Sequence, residues 1–206
     1  MTTRPKSVAA ILLAAGRSTR TGARHKLLAS DRVGVPMVVR TLRALCTSPA
    51  WPIIVVLGHR ADDLRTVIAA HAPYEQDVTT CLAADHADGL SASLRAGVRE
   101  AARHRPSGIL ICLGDMPGLK PDLVARLIAC HREAAAPAIV PVHGGRHGHP
   151  ALWDRAMIPE LIALRGDQGA RGLIRALGTR VRTLDSDPSI HQDFDTAEQL
   201  DDFARS

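Results

Sequence analysis

Three short apolar runs constrain this chain more than any other feature. Val8–Ala14, Ile53–Leu57 and Ile109–Leu113 are apolar at every position, with no polar alternation. A strand with one wet face alternates, so continuous runs of this length belong to strands covered on both faces, as in a parallel sheet. Val78–Leu82 reads as a weaker strand, Ala138–Val142 as a further one and Arg180–Leu184 as another. Helical spacing between the runs predicts helices over Met37–Cys46, Asp62–His71, Ser91–His104 and Pro121–Glu133. Pro121 suits a first helical position and Asp122 the first turn. The pattern loosens over the turn-rich His143–Pro150, then helices resume at Asp154–Leu164, Ala170–Leu177 and Thr196–Ala204. Strand alternating with helix predicts an α/β fold with a mostly parallel, doubly wound sheet. No repeat, low-complexity stretch or long linker divides the 206 residues, so one domain is expected.

The chain is 46% hydrophobic but has only two Trp, two Phe and one Tyr, so its core must be aliphatic. No apolar run reaches the roughly 18 residues of a membrane helix. The basic start at Met1–Lys6 and the apolar run behind it have the outline of a signal peptide. The glycine-basic loop that follows favours a strand and loop instead. Cys46, Cys81, Cys112 and Cys130 are widely spaced and form no C-x-x-C. Neither a metal nor a disulfide framework is expected from them, and a reducing cytoplasm is. The formal charge of +5 raises nucleic acid as a partner, but the arginines are spread along the chain and stacking aromatics are scarce. A small anionic substrate such as a nucleotide fits better.

Ligands of open α/β sheets bind outside the carboxyl ends of the strands. After the first strand comes L-A-A-G-R-S-T-R-T-G-A-R-H-K-L-L, Leu13 to Leu28. Gly16 and Gly22 allow close backbone approach, and successive N–H groups in such a loop can cradle phosphate oxygens. Arg17 adds a bidentate fork and Lys26 a point charge. The competing reading is a basic surface loop. Lys26 weighs against it, being one of three lysines and followed by Leu27-Leu28, which should pack and fix it. The spacing matches neither G-x-x-x-x-G-K-[S/T] nor G-x-G-x-x-G.

After Ile109–Leu113 comes L-G-D-M-P, which places Asp115 where a carboxylate can hold Mg²⁺. The alternative makes it a turn former. Asp193 and Asp195 in D-F-D-T face one way if extended, so either can complete the site. A capping role at the last helix, with Glu198 three residues after Asp195, is compatible with this. Asp88-Gly89-Leu90-Ser91-Ala92-Ser93 opens a helix and can meet a planar base, or simply cap it through Asp88 or Ser91. His143–Pro150 is too glycine-rich for a closed zinc site and reads as a turn presenting Arg146 and His149. Arg165–Arg171 repeats that style.

In this order, L-A-A-G-R-S-x-R-x-G-x-x-x-K-L-L, G-L-S-A-S-L-R-A-G, L-G-D-M-P, G-R-H-G-H-P-A-L-W, L-R-G-D-Q-G-A-R and D-F-D-T-A-E-Q-L resemble the molybdenum-cofactor nucleotidyltransferases over about residues 8–200. The resemblance implies a single-domain, Rossmann-related, glycosyltransferase-A-like three-layer α/β fold with a mostly parallel mixed sheet. It places the nucleotide-binding half at about residues 8–120 and the acceptor-binding half at about 121–206. It implies Mg²⁺-dependent transfer of a nucleotidyl group to molybdopterin, with loss of pyrophosphate and a molybdenum hydroxylase as client. Ala14-Ala15-Gly16 is similar to the cytidylyltransferases, where guanylyltransferases more often carry A-G-G, so CTP is favoured. Carried over by position, Ala14, Ala15, Gly16, Arg17, Ser18 and Lys26 would hold triphosphate and ribose. Gly89, Ser91 and Ser93 would meet the base. Asp115, with Asp193 or Asp195, would bind Mg²⁺, and Lys26, Arg17 and Asp115 would carry catalysis. Gly148, His149, Asp167 and Gly169 would lie on the pterin side. Thr21 replaces the usual Met, Ala197 the usual Pro and Gln199 the usual last acid. The rival expectations are a cytidylyltransferase for another phosphorylated acceptor and a cofactor-carrying chaperone without chemistry. An oxidoreductase on this scaffold ranks below both. Neither nucleic acid nor a membrane is expected as partner.

Overall fold

The computed structural model describes residues 7–18, 25–71, 78–166, 169–192 and 194–206. The elements run β1 (Val8–Ala14), α1 (Met37–Cys46), β2 (Ile53–Leu57), α2 (Ala61–His71), β3 (Val78–Leu82), α3 (Leu90–Ala102), β4 (Gly108–Leu113) and α4 (Pro121–Glu133). Then come β5 (Ala138–His143), β6 (Arg146–His147), β7 (Ala151–Asp154), α5 (Ile158–Ala163), α6 (Arg171–Leu177), β8 (Val181–Asp185) and α7 (Ala197–Arg205). Among the described residues, eight strands form one mixed sheet in the order β3-β2-β1-β4-β7-β5-β6, with β8 beside β5. β1 pairs in parallel with β2 and β4, β2 with β3, and β5 with β8. β7 runs antiparallel between β4 and β5.

The continuous apolar runs serve two layers at once. Successive side chains of a strand point to opposite faces. Val8, Ala10, Leu12 and Ala14 of β1 join Val38, Leu42, Leu64 and Leu127 on the α1, α2 and α4 side. Ala9, Ile11 and Leu13 join Leu94, Val98 and Leu161 on the α3 and α5 side. Gly97 lets α3 close on the sheet: a Cβ there would lie 2.7 Å from Ile11 and Val56 side-chain carbons. The two core layers are almost wholly aliphatic, with Trp153 the one ring fully buried among the described residues. A third, smaller cluster packs Phe194, Leu200 and Phe203 against Met37 and so ties α7 to the start of α1.

The sheet's second half departs from the expected pattern. Ala151–Asp154 is a strand, whereas the sequence pattern opens a helix at Asp154. Asp154 does both jobs: it pairs with Gly108, and its side chain caps the following turn by accepting from the Ala156 amide at 2.9 Å. Gly144 and Gly145 both take positive φ (56° and 74°), which makes His143–Arg146 a two-residue hairpin joining β5 and β6. Among the described residues, no helix is long and apolar enough to cross a membrane.

Candidate active site

β1 and β4 are adjacent and in register, Leu13 opposite Leu113, so the loops after them open side by side. Their backbones are joined where the Gly114 amide donates to the Leu13 carbonyl at 2.9 Å. From this edge one cavity of about 320 Å³ opens, lined by Ala15, Gly16, Arg17, Ser18, Lys26, His86, Gly89, Ser93 and Asp115 among others. A larger cavity of about 650 Å³ shares Leu13, Leu90 and Leu113 with it and extends to Arg146, Gly148, His149, Trp153, Gly169, Arg171 and Arg175.

Lys26 stands on a single 3₁₀ turn, Lys26–Leu28. Leu27 is buried in the core, and its Cδ carbons lie 3.2 Å from where a Gly114 Cβ would be. The Thr41 hydroxyl donates to the Gly114 carbonyl at 3.1 Å and holds the same turn from α1. Lys26 and Asp115 therefore meet because both backbones are pinned to one packing point. The Lys26 ammonium donates to Asp115 Oδ2 and, at 2.7 Å, to Asp195 Oδ1. Burial opposes the Lys26 charge, but the carboxylate and hydrogen bond of Asp115, then those of Asp195, outweigh it and raise its pKa.

Asp195 is turned toward Lys26 because it does not cap α7. Thr196 is the N-cap: its hydroxyl accepts from the Gln199 amide at 3.2 Å. Gln199 Oε1 accepts from the amides of Thr196 and Asp195 at 2.9 and 2.8 Å. The capping box thus uses Gln199 rather than Glu198, and the glutamine that replaces the family's usual acid has a defined job.

The described ends of the segment between β1 and Lys26 are held from outside the cavity. His25 Nε2 meets the Gly16 carbonyl at 3.2 Å, and its ring stacks on His59 at 5.8 Å between centroids. Burial lowers the His25 pKa, so the ring is neutral near pH 7. Ser18, rather than Gly16, takes the left-handed conformation (φ 54°), and its hydroxyl accepts from the Lys26 amide at 3.3 Å. Nothing lies within 4 Å of a Cβ built on Gly16, so that glycine leaves space beside the cavity rather than relieving a protein clash. Gly58 is different: a Cβ there would meet the Ala15 Cβ at 2.7 Å.

Two expected contact residues sit deeper than the cavities. Ala14 is 1% exposed within the core, and Ser91 is 0% exposed, its amide donating to the Gly166 carbonyl at 3.1 Å. α3 begins at Leu90 with Gly89 as N-cap (φ 102°), and neither Asp88 nor Ser91 caps it. Gly89 and Ser93 line the smaller cavity, while Gly148, His149 and Gly169 line the larger. Gly22, Asp167 and Asp193 lie outside the described residues, as does Thr21. Sequence reasoning missed His86, whose Nδ1 meets the Ala83 carbonyl at 3.0 Å in the smaller cavity's wall. It also missed Arg175 and Ile174, which α6 turns toward the larger one. No motif marked them.

His149 carries a pH prediction. Burial, helped by Arg171 and opposed by Asp115, lowers its pKa from 6.5 to about 4. Above pH 6.5 the ring is neutral folded or unfolded. Below it the unfolded chain takes up a proton that the folded chain refuses, so stability falls with pH until about pH 4. At 1.36 kcal/mol per pKa unit the loss is at most ~3–4 kcal/mol, reduced by the ring's partial exposure. Urea unfolding of wild type and His149→Asn from pH 7 to 4 should show a shallower decline in the variant. Parallel declines would contradict it.

A model of the MobA-like NTP transferase domain matches residues 10–181. The nicotine blue oxidoreductase of Paenarthrobacter nicotinovorans is 32% identical over 203 residues, 94% of each chain. The crystal structure of Rv0371c from Mycobacterium tuberculosis superposes with a TM-score of 0.80 at 29% identity over 100% of both chains. A structure of Rv0371c in complex with manganese gives 0.76 at 26% identity, over 98% of this chain and 100% of that one. The fold, the strand-end site and these matches agree: the chain belongs to the MobA-like NTP transferase family and has the fold of a nucleotidyltransferase.

Proposed function

We propose that this chain transfers CMP from CTP to the phosphate of molybdopterin and releases pyrophosphate. The observation that carries the reading is the Lys26 ammonium held between Asp115 and Asp195 at a cavity also lined by Gly16, Arg17 and Ser18. An oxygen of the acceptor phosphate attacks the α-phosphorus. A new P–O bond forms, the bond to the oxygen bridging the β-phosphorus breaks, and its electrons leave with pyrophosphate. Arg17 and Lys26 offset charge growing on the leaving group, and the loop after β1 holds the triphosphate in line. The work is positioning and electrostatics, so no nucleophilic side chain is needed.

Asp115 and Asp195 fit a magnesium ion. Both offer hard carboxylate oxygens, both already face one cation, and Mg²⁺ takes one or two carboxylates with phosphates and water. Asp193 is the third candidate by sequence. When bound, Mg²⁺ would neutralise phosphate charge and favour departure of pyrophosphate. The relative's manganese complex supports a divalent ion in this family.

Gly89 and Ser93 are assigned to the base, whereas Ala14 and Ser91, assigned to the nucleotide by sequence position, are buried behind the cavity lining. Ala15 is the residue that favours cytosine. The larger cavity takes the pterin through His149, Gly148 and Gly169, and Asp167 is assigned to the pterin by sequence position alone. We divide the single domain near residue 120 into nucleotide and acceptor halves. All the lining of the smaller cavity falls before that point, and Arg146 to Arg175 of the larger one after it. A reducing cytoplasm and delivery to a molybdenum hydroxylase complete the proposal.

A second reading is favoured by one finding, the relative named an oxidoreductase. The chain has no G-x-G-x-x-G, and it keeps Lys26 and Asp115 with two C-terminal aspartates, so transfer ranks first. Pyrophosphate release should be measured with each of the four nucleoside triphosphates, with and without molybdopterin. The expected result is acceptor-dependent release that is fastest with CTP. Preference for GTP would overturn the assignment of Ala15. Equal turnover with a sugar or polyol phosphate would overturn the acceptor.

A further inference from the structure

We propose that Lys26 holds the divalent cation's place until a triphosphate draws it away, so that metal and nucleotide bind as a coupled pair. The inference rests on the reading of Asp115 and Asp195 as the metal's carboxylates. The ammonium already donates to an oxygen of each. These carboxylates come from distant parts of the chain, the turn after β4 and the segment before α7. Lys26 and Asp115 are largely buried, with side chains 18% and 10% exposed. A metal ion reaching the same oxygens would meet a fixed positive charge.

Lysine suits such a stand-in. Its charge is compact and rides on a flexible four-carbon stem, unlike the rigid fork of arginine. Here the backbone end is pinned, because Leu27 is buried against Gly114. The stem is therefore the part free to move. Lys26 also lines the cavity that Gly16, Arg17 and Ser18 share, so phosphate there can take over its charge. Leaving the carboxylates would place Lys26 on the triphosphate and open the oxygens to metal. By linkage, metal then tightens nucleotide as much as nucleotide tightens metal.

The test is Mn²⁺ binding to the full chain without nucleotide, followed by calorimetry and by the free-Mn²⁺ resonance signal. Lys26→Met should bind Mn²⁺ at least about tenfold more tightly than wild type, within the usual range of site coupling. Asp115→Asn added to that variant should abolish the gain. Lys26→Gln provides the same test if Lys26→Met fails to fold. Wild type binding Mn²⁺ alone as tightly as the variant would overturn the inference. If CTP still recruited Mn²⁺ to wild type through Asp115, the metal site itself would stand. Tight binding indifferent to Asp115 would overturn both.

Discussion

Asp115→Ala should slow pyrophosphate release from CTP and molybdopterin by about a thousandfold or more, the scale of losing a charge-stabilising group aimed at a transition state. Asp115 sits directly beyond β4, 7% exposed and paired with Lys26. Its removal would take one of two carboxylates from the proposed metal site and the ion-pair partner from one side of Lys26. Lys26→Ala should cost a similar factor, because in the proposed mechanism Lys26 offsets charge on the leaving pyrophosphate. The fold should survive both changes. Lys26 lacking Asp115 keeps Asp195, and neither residue supports the aliphatic layers. Circular dichroism and thermal melting of each variant separate lost chemistry from lost structure. Normal turnover in both variants would remove them from the site.

The second large effect is on stability, at Gly148. A Cβ there would lie 2.6 Å from both the carbonyl oxygen and a side-chain carbon of Ile190. The contact is with backbone, and two hydrogen bonds hold it. The Gly148 amide donates to the Pro141 carbonyl at 2.9 Å, and the His149 amide to the Ile190 carbonyl at 3.1 Å. Gly148→Ala must shift one of these strands of chain, with an overpacking cost of about 2–3 kcal/mol. For a protein of this length that is a fall in Tm of roughly 5–10 °C. Gly16→Ala is the control: with nothing within 4 Å of its Cβ, it should leave Tm unchanged while weakening triphosphate binding. Equal Tm values for the two variants would show that the Ile190 contact yields without cost.

Much of the fold was legible because the buried strands are continuous in apolarity and the helices keep their spacing. β1, β2, β3, α1 and α4 have the boundaries the pattern predicts. β6 and β7 were not legible, being two and four residues long. An apolar Ala-Leu-Trp before an acid is as compatible with a helix start as with a strand. Only pairing with Gly108 and Trp153's place between β4 and β5 decide it. The Gly-Gly of the hairpin was a usable signal, since two successive positive φ values favour that pair.

The site divides in the same way. The strand-end rule leads to Gly16 and Asp115, because each follows a recognisable strand. The meeting of Lys26 with Asp195, 169 residues apart, depends on how α7 packs Phe203 and Leu200 over Met37. No local pattern encodes that packing. Ser91 and Ser93 look equivalent in sequence, yet only Ser93 reaches the cavity, since two residues along a helix turn through about 200°.

Cytidylyl transfer is read most directly by following α-labelled CTP through a single turnover with molybdopterin and this protein. Label should appear in a CMP–molybdopterin product, with one pyrophosphate released per label transferred. Tight molybdopterin binding with no pyrophosphate from any of the four triphosphates would contradict it and make the chain a cofactor carrier.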